Sequence, residues 1–310
     1  MAPLPRVLIC GKGKIAIRCM DLLAGKVDVI SVVPDFDDDG SGGWRGSVFH
    51  HAKELGWPVR RDKLNTPASI QWLREQHLDF IFSFQYYEIL RQPIHSAAKN
   101  GTINLHFAPL PRYRGCSPIA WAVLNGEREM GVTLHYIDDG IDTGDIIAQR
   151  FFPIPLSFNA RNLFEQCIEE GAILFEETLP AILTRTNART PQDPDRATYY
   201  GMRAIDFKKR RIDWHRPTEI LFHWIRAFAF PPLQFAETGR EGQALPVART
   251  ERRLLRPQLE PGTIIQCTDK EILVATLDGA LAITGFAGQD GVPVTPGEFQ
   301  TGWKEGEILA

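Results

Sequence analysis

The strongest constraint on the fold is an alternation. In the first half of the chain, four short β-rich apolar runs (RVLIC, VDVISVV, LDFIFSF and TINLH) are separated by stretches of helical periodicity. Strand, crossover helix and strand again is the pattern that builds a parallel sheet with helices on its faces. The spacing predicts strands at those runs and helices near 15–24, 47–55, 67–76 and 93–99. After Gly115, CSPIAWAVLNGE predicts another helix, with Ser117 as its cap and Pro118 at its first position. GVTLHYIDDGIDTGDIIAQRFFPI reads as two strands joined by a Gly/Asp loop, and a long helix is expected over about 159–183.

The pattern then changes. Residues 184–211 are rich in Thr, Asn, Arg, Pro and Asp with poor periodicity, which reads as a linker or an extended crossing segment. Beyond it come a helix starting after Pro217 and short β-like runs (TIIQC, EILVATL, ALAITGF) between turns. The expected fold is therefore α/β: an open, Rossmann-like, mostly parallel sheet with flanking helices over 1–185, a linker over 186–211, and a small C-terminal β-rich, OB-like domain over 212–310. A chain of 310 residues suits such a division.

Composition removes several function classes. No apolar stretch approaches the roughly 20 residues that span a bilayer, and no long apolar segment with a small-residue cleavage site opens the chain, so a cytoplasmic protein is expected. Five cysteines, at 10, 19, 116, 167 and 267, are an odd number without C-x2-C spacing and read as reduced thiols. A net charge of −3 offers no broad positive field to a nucleic acid. The local basic runs FKKRR (207–211) and ARTERRLLR (248–256) read as solvated linker or helix faces. Metal-ligand spacing is missing from the sequence, and no metal is expected.

Three stretches could carry chemistry. Gly11-x-Gly13-x-x-Ala16, with Asp35 at the end of the second strand, has the outline of a dinucleotide-binding fingerprint; a tight first βα turn wants the same glycines for steric reasons, and both readings stay open here. FDDDGSGGWRGSVF lies where ligands bind an open α/β sheet, or is a mobile surface loop. In GTINLHFAPLPRYRG, Asn104 and His106 are two apart at a strand end and so face one side. Pro109, Pro111 and Gly115 then make a rigid irregular loop that ends the pairing. Asp142, in DDGIDTGD, is the candidate third polar group. Without further context, an Asn/His pair at a strand end is more often a structural hydrogen-bonding pair than a catalytic one.

In order, spacing and identity, N-L-H-x-A-P-L-P-R-Y-R-G, S-P-I-x-W-A-V-L-N-G-E, G-V-T-L-H and D-x-G-I-D-T-G-D-I-I resemble the 10-formyltetrahydrofolate-dependent formyltransferases. The resemblance implies Asn104, His106 and Asp142 as the catalytic set. It implies that the folate donor lies against the 84–90 segment (Phe84, Tyr86, Tyr87, Ile89, Leu90) and the 138–142 loop (Asp138, Asp139, Gly140, Ile141). On the acceptor side it implies Arg112, Tyr113, Arg114, Gly115, Ser117 and Trp121. RIDWHRPTEILFHWIRAFAFPPLQF is similar to the start of the small C-terminal domain shared by methionyl-tRNA and UDP-4-amino-4-deoxy-L-arabinose formyltransferases.

The implied reaction is acyl transfer: a neutral amine attacks the formyl carbon and negative charge develops on the formyl oxygen. His106 is suited to take the amine proton, or, charged, to stabilise that oxygen. Asn104 would donate to the oxygen, and Asp142 would orient His106 or relay a proton through water. The aspartates 35, 37, 38 and 39 would repel phosphates, which favours a small acceptor over tRNA; the similarity of Y-R-G with Ser117, Pro118 and Trp121 to the amino-sugar formyltransferases implies a nucleotide-linked amino sugar, whose diphosphate Arg112 and Arg114 could meet. Formylation of methionyl-tRNA or of a hydroxylated ornithine, and a nicotinamide-dependent oxidoreductase, are the alternatives. A homodimer is left open, with no nucleic-acid or membrane partner.

Overall fold

Val, Ile and Phe dominate the four apolar runs, and all four form strands: β1 (Arg6–Gly11), β2 (Asp28–Pro34), β3 (Phe80–Phe84) and β4 (Thr102–His106). They are followed by β5 (Arg114–Gly115), β6 (Glu129–Tyr136), β7 (Ile146–Pro153) and β8 (Tyr199–Tyr200). The computed structural model describes residues 3–240 and 243–309. One sheet has the order β2-β1-β3-β4-β6-β7. Its pairs β1–β2, β1–β3 and β3–β4 are parallel, whereas β4–β6 is antiparallel and sets Asn104 opposite His135 and His106 opposite Thr133.

The helices of this half are α1 (Gly13–Leu23), α2 (Val48–Glu54) and α3 (Pro67–Glu75). The side chains of Ser47 and Thr66 cap α2 and α3 by accepting from His50 N and Ser69 N. α4 (Pro118–Leu124) and the long α5 (Ala160–Thr184) follow. Two local expectations are corrected. Residues 93–99 form turns closed by three-residue bonds, Ile94 N to Arg91 O and Ala97 N to Ile94 O, because Pro93 brings no amide donor and the run is too short to sustain a helix. Ser117 precedes α4 but makes no side-chain capping bond; its φ of 55° turns the residue into the left-handed region.

Side-chain alternation along β3 builds both faces of the core. Phe80, Phe82 and Phe84 stack in a row with centroids 5.8 and 6.0 Å apart, and Phe175 of α5 meets Phe82 and Phe84 edge-on at 5.6 and 5.1 Å. On the opposite face Ile81 joins Leu8, Cys10, Val33, Leu64, Leu73, Leu90 and Ile94. Each such buried side chain contributes about 1.5–3 kcal/mol.

Contacts divide the chain into two units: Met1–Cys116, Met130–Phe152 and Gln166–Tyr200 form one, and Ser117–Glu129, Pro153–Glu165 and Gly201–Ala310 the other. The second unit holds α6 (Thr218–Phe228) and an antiparallel sheet of β9 (Ala236–Thr238), β10 (Leu245–Arg253), β11 (Ile264–Cys267), β12 (Ile272–Ala275) and β13 (Ala280–Ala287), in the order β11-β12-β13-β10-β9. β14 (Pro293–Val294) pairs with β13, and α7 (Pro296–Phe299) follows. Much of the basic run at 248–256 is therefore strand, where alternation buries Thr250 and exposes Arg249 and Glu251, and the solvated linker or helix face is corrected. The 190–200 segment is paired at both ends and carries a short 3-10 turn at Pro194–Arg196 between them: Thr190 exchanges both backbone bonds with Ile146, and β8 lies parallel to β5.

Candidate active site

Asn104 and His106 lie at the carboxyl end of β4, two residues apart, and the antiparallel partner β6 brings His135 directly across from Asn104. Asp142 arrives from the loop between β6 and β7. Its Oδ2 accepts from Gly115 N at 2.8 Å and stands 3.8 Å from His106 Nδ1, and its Oδ1 is 3.6 Å from His135 Nε2. An amide, two imidazoles and a carboxylate thus converge on one point.

The hydrogen-bond network fixes the tautomers. His106 Nε2 is 2.9 Å from Tyr113 O, and a carbonyl only accepts, so Nε2 carries a hydrogen and Nδ1 is the nitrogen that faces Asp142. His135 Nδ1 donates to Tyr136 O at 2.8 Å, which leaves Nε2 to accept from Asn104 Nδ2 at 3.1 Å. That bond orients the Asn104 amide and uses one of its two hydrogens. Burial holds His135 neutral, bringing its pKa down to about 4 despite the nearby Asp142. For Asp142, burial opposes the charge, but His106, His135, the Gly115 amide and Arg114 outweigh it and hold the carboxyl below the usual range. The group is a carboxylate near neutral pH, facing the nitrogen of His106 that can take a proton.

The loop geometry follows from the glycines and prolines read in the sequence. A Cβ on Gly115, at φ +91°, would meet Tyr200 O at 2.3 Å, and one on Gly144 would meet Tyr136 O at 2.0 Å. Tyr113, at φ 62°, and Asp142, at φ 55°, are also left-handed, so the loops around the site are tightly bent on both sides.

Residues 7–186 match the formyl transferase family, and residues 204–303 match the formyl transferase C-terminal domain. The chain belongs to the formyl transferase family. Among solved structures it is similar to the N-formyltransferase from Helicobacter canadensis in complex with folinic acid and dTDP-3-aminofucose, with a TM-score of 0.73 and 24% identity over 91% of this chain and 99% of that one. It is also similar to WlaRD, a sugar 3N-formyl transferase solved in the presence of dTDP and 5-N-formyl-THF, with a TM-score of 0.71 and 22% identity over 91% and 97%. HypX from Aquifex aeolicus in complex with tetrahydrofolic acid gives 0.62 and 19% over 99% of this chain and 50% of that one. At these identities the likeness is one of fold.

The remaining residues expected of a formyl transferase divide by exposure. On the donor side, Tyr87 and Ile89 are 56% and 48% exposed, and Asp138, Asp139 and Gly140 lie on an exposed loop with Ile141 half-buried. Asp138 accepts from Gly140 N and Thr143 Oγ1, and Asp139 pairs with His95 at 3.1 Å. The side chains of Phe84 and Leu90 are committed to the core, so only their backbone can face a ligand, and Tyr86 bonds Glu88 through its hydroxyl at 3.1 Å. On the acceptor side, Tyr113 is buried and stacked on Tyr200 at 5.6 Å, and its carbonyl accepts from His106. The half-buried Arg112 covers the Tyr113 ring, Arg114 is bonded to Gln192, and Gly115 donates to Asp142. Ser117 and the half-buried Trp121 belong to the second unit.

The glycine-rich first turn has a steric explanation. A Cβ on Gly11 would lie 2.6 Å from Ala16 Cβ, and Gly13 starts α1 at φ +64°. Asp35 is buried and bonded to Lys12 Nζ at 2.7 Å, and the same ammonium holds Asp37 at 2.8 Å. A carboxylate so occupied is not offered to a ribose. Asp38 is equally engaged, accepting from Ser47 Oγ and Phe49 N, so the acidic loop is folded on itself. His135 is the site residue to which sequence reasoning gave no role. The signal was the histidine of GVTLH, whose position opposite Asn104 depends on strand register.

Among the described residues, no group of three or more His, Cys, Asp or Glu side chains is placed to hold a metal ion, and no helix is long and apolar enough to cross a membrane.

Proposed function

We propose that this formyl transferase moves the formyl group of 10-formyltetrahydrofolate to the amine of a nucleotide-linked amino sugar, with Asn104, His106 and Asp142 as its catalytic residues. The observation that carries the reading is the His106 tautomer: Nε2 is held by Tyr113 O, and Nδ1 opens toward the Asp142 carboxylate. The acceptor class draws its support from likeness to proteins described with dTDP-3-aminofucose and with dTDP, over nine-tenths of this chain. The residues present suit the donor, because Tyr87 and Ile89 offer an exposed apolar surface to an aromatic ring system and the 138–141 loop offers backbone polar groups.

When bound, the donor supplies the formyl carbon. His106 Nδ1 takes the proton from the acceptor amine as its nitrogen forms the new bond to that carbon, and Asp142 stabilises the imidazolium that results. The second hydrogen of the Asn104 amide meets the negative charge developing on the formyl oxygen, a contact typically worth about 3–4 kcal/mol. The proton then passes to the departing folate nitrogen, and the carbon–nitrogen bond to the folate breaks. His106 and Asp142 end in their starting states. The enzyme acts in the cytoplasm on a small molecule, and its product suits the assembly of a surface polysaccharide such as lipopolysaccharide.

A panel of UDP-, dTDP- and GDP-linked amino sugars, incubated with 10-formyltetrahydrofolate, tests the acceptor class by tetrahydrofolate release and a 28 Da mass gain on the sugar nucleotide (one CO, roughly the change for any N-formylation). Saturable turnover with one of them supports the reading. Turnover of methionyl-tRNA, with no activity on any sugar nucleotide, would overturn it.

A further inference from the structure

Gln192 is the point at which the 190–200 segment reaches both sides of the site. Its Oε1 accepts from Arg114 Nε at 3.0 Å and from Arg114 Nη2 at 2.8 Å. Its Nε2 donates to Asp142 O at 2.9 Å and to Gly144 O at 2.8 Å. A guanidinium only donates and a carbonyl only accepts, so a flip of the Gln192 amide would break all four bonds.

Asp142 needs such support. Its φ of 55° lies in the left-handed region, which Asp enters more readily than most non-glycine residues but which still disfavours a side chain. The inner side of the loop is secured by Asp138, which accepts from Gly140 N and Thr143 Oγ1. The outer side is secured by Gln192, at the two carbonyls that flank Thr143. The segment carrying Gln192 is itself pinned at both ends. Thr190 is bonded to Ile146 through both backbone groups; Thr198 accepts from Tyr113 N at 2.7 Å and donates to Pro111 O at 3.2 Å.

The geometry points to Gln192 as a positioning residue that fixes the Asp142 backbone, keeps the carboxylate against His106, and ties that placement to the Arg114 guanidinium. This role rests on the proposed part of Asp142 in formyl transfer. Gln192 touches neither reacting atom; it acts through Asp142.

The test is steady-state kinetics, with thermal unfolding as the control, on the wild type, Gln192→Leu, Gln192→Glu, Asp142→Asn and the double variant Gln192→Leu/Asp142→Asn. Gln192→Leu is expected to lower kcat at least about tenfold with less than about a threefold change in KM for the donor. Gln192→Glu still accepts from Arg114 but cannot donate to the two carbonyls, and its kcat should fall as far. The double variant should be no slower than Asp142→Asn, because the effect of Gln192 runs through that residue. A double variant slower than Asp142→Asn by the full Gln192→Leu factor would overturn the role, as would Gln192→Glu within about twofold of the wild type while Asp142→Asn is impaired. An Asp142→Asn enzyme at the wild-type rate would instead remove the reading of the site on which the role depends.

Discussion

Asn104 Nδ2 lies 3.1 Å from His135 Nε2 across the antiparallel β4–β6 pair, and this bond decides which way the Asn104 amide points. The acceptor nitrogen exists because His135 donates through Nδ1 to Tyr136 O and is held neutral by burial. On the role proposed for Asn104, His135 acts through that amide.

Replacing His135 by leucine should release that amide without touching the reacting atoms. A hydrogen bond lost while its buried partner remains costs about 1–3 kcal/mol, so kcat should fall roughly 10- to 100-fold. Steady-state kinetics on folded His135→Leu would check this; a kcat within twofold of the wild type, roughly half a kcal/mol, would deny His135 that role.

The same histidine makes stability pH-dependent. Its folded pKa of about 4 lies below the 6.5 of a free imidazole. Between those values the unfolded chain binds the proton that the folded one refuses, so stability present above about pH 6.5 is lost as pH falls toward 4, with a slope approaching about 1.4 kcal/mol per pH unit. The depressed Asp142 acts in the same sense at lower pH, its contribution being present above its unfolded pKa and lost as pH falls through the folded one. Urea unfolding at a series of pH values should show a shallower dependence between pH 6.5 and 4 for His135→Gln than for the wild type. Parallel curves would place the titrating group elsewhere.

Gly115→Ala should be poorly tolerated. The added Cβ would stand 2.3 Å from Tyr200 O at a φ of +91°, and the strap formed by β5 and β8 would have to part. A loss above about 2 kcal/mol, read from the urea midpoint, is expected together with slower turnover, since Gly115 N also holds Asp142. Wild-type stability in that variant would show that the strap is softer than its contacts indicate.

Nicotinamide dinucleotides should not bind. Asp35 is buried against Lys12, and Gly11 serves the approach of β1 to Ala16. Titration of NADH followed by its fluorescence is expected to show no saturable change; saturation at micromolar dinucleotide would reopen that reading.

Much of the fold could be read from the sequence because it rests on local patterns. β-branched and aromatic runs set the strands, and the capping side chains of Ser47 and Thr66 set where α2 and α3 begin. Asn104 and His106 were legible for the same reason, as the two-residue period of a strand puts both on one face. What escaped depends on partners distant in sequence. His135 reaches Asn104 through the register of β6, and Gln192 reaches Arg114 and Asp142 from 78 and 50 residues away. The basic stretch around Arg249 and Arg252 concealed β10, whose alternating exposure becomes visible only when β13 and β9 flank it. At 93–99, the composition suited a helix, but Pro93 and the burial of Ile94 and Ala98 favoured successive turns.

Whether His106 carries the proton of formyl transfer is read from the single-turnover rate of His106→Ala at saturating donor and acceptor, with circular dichroism reporting the fold. A native spectrum and a rate about 10²- to 10⁴-fold below the wild type are expected. A native His106→Ala protein transferring formyl at the wild-type rate would contradict that role.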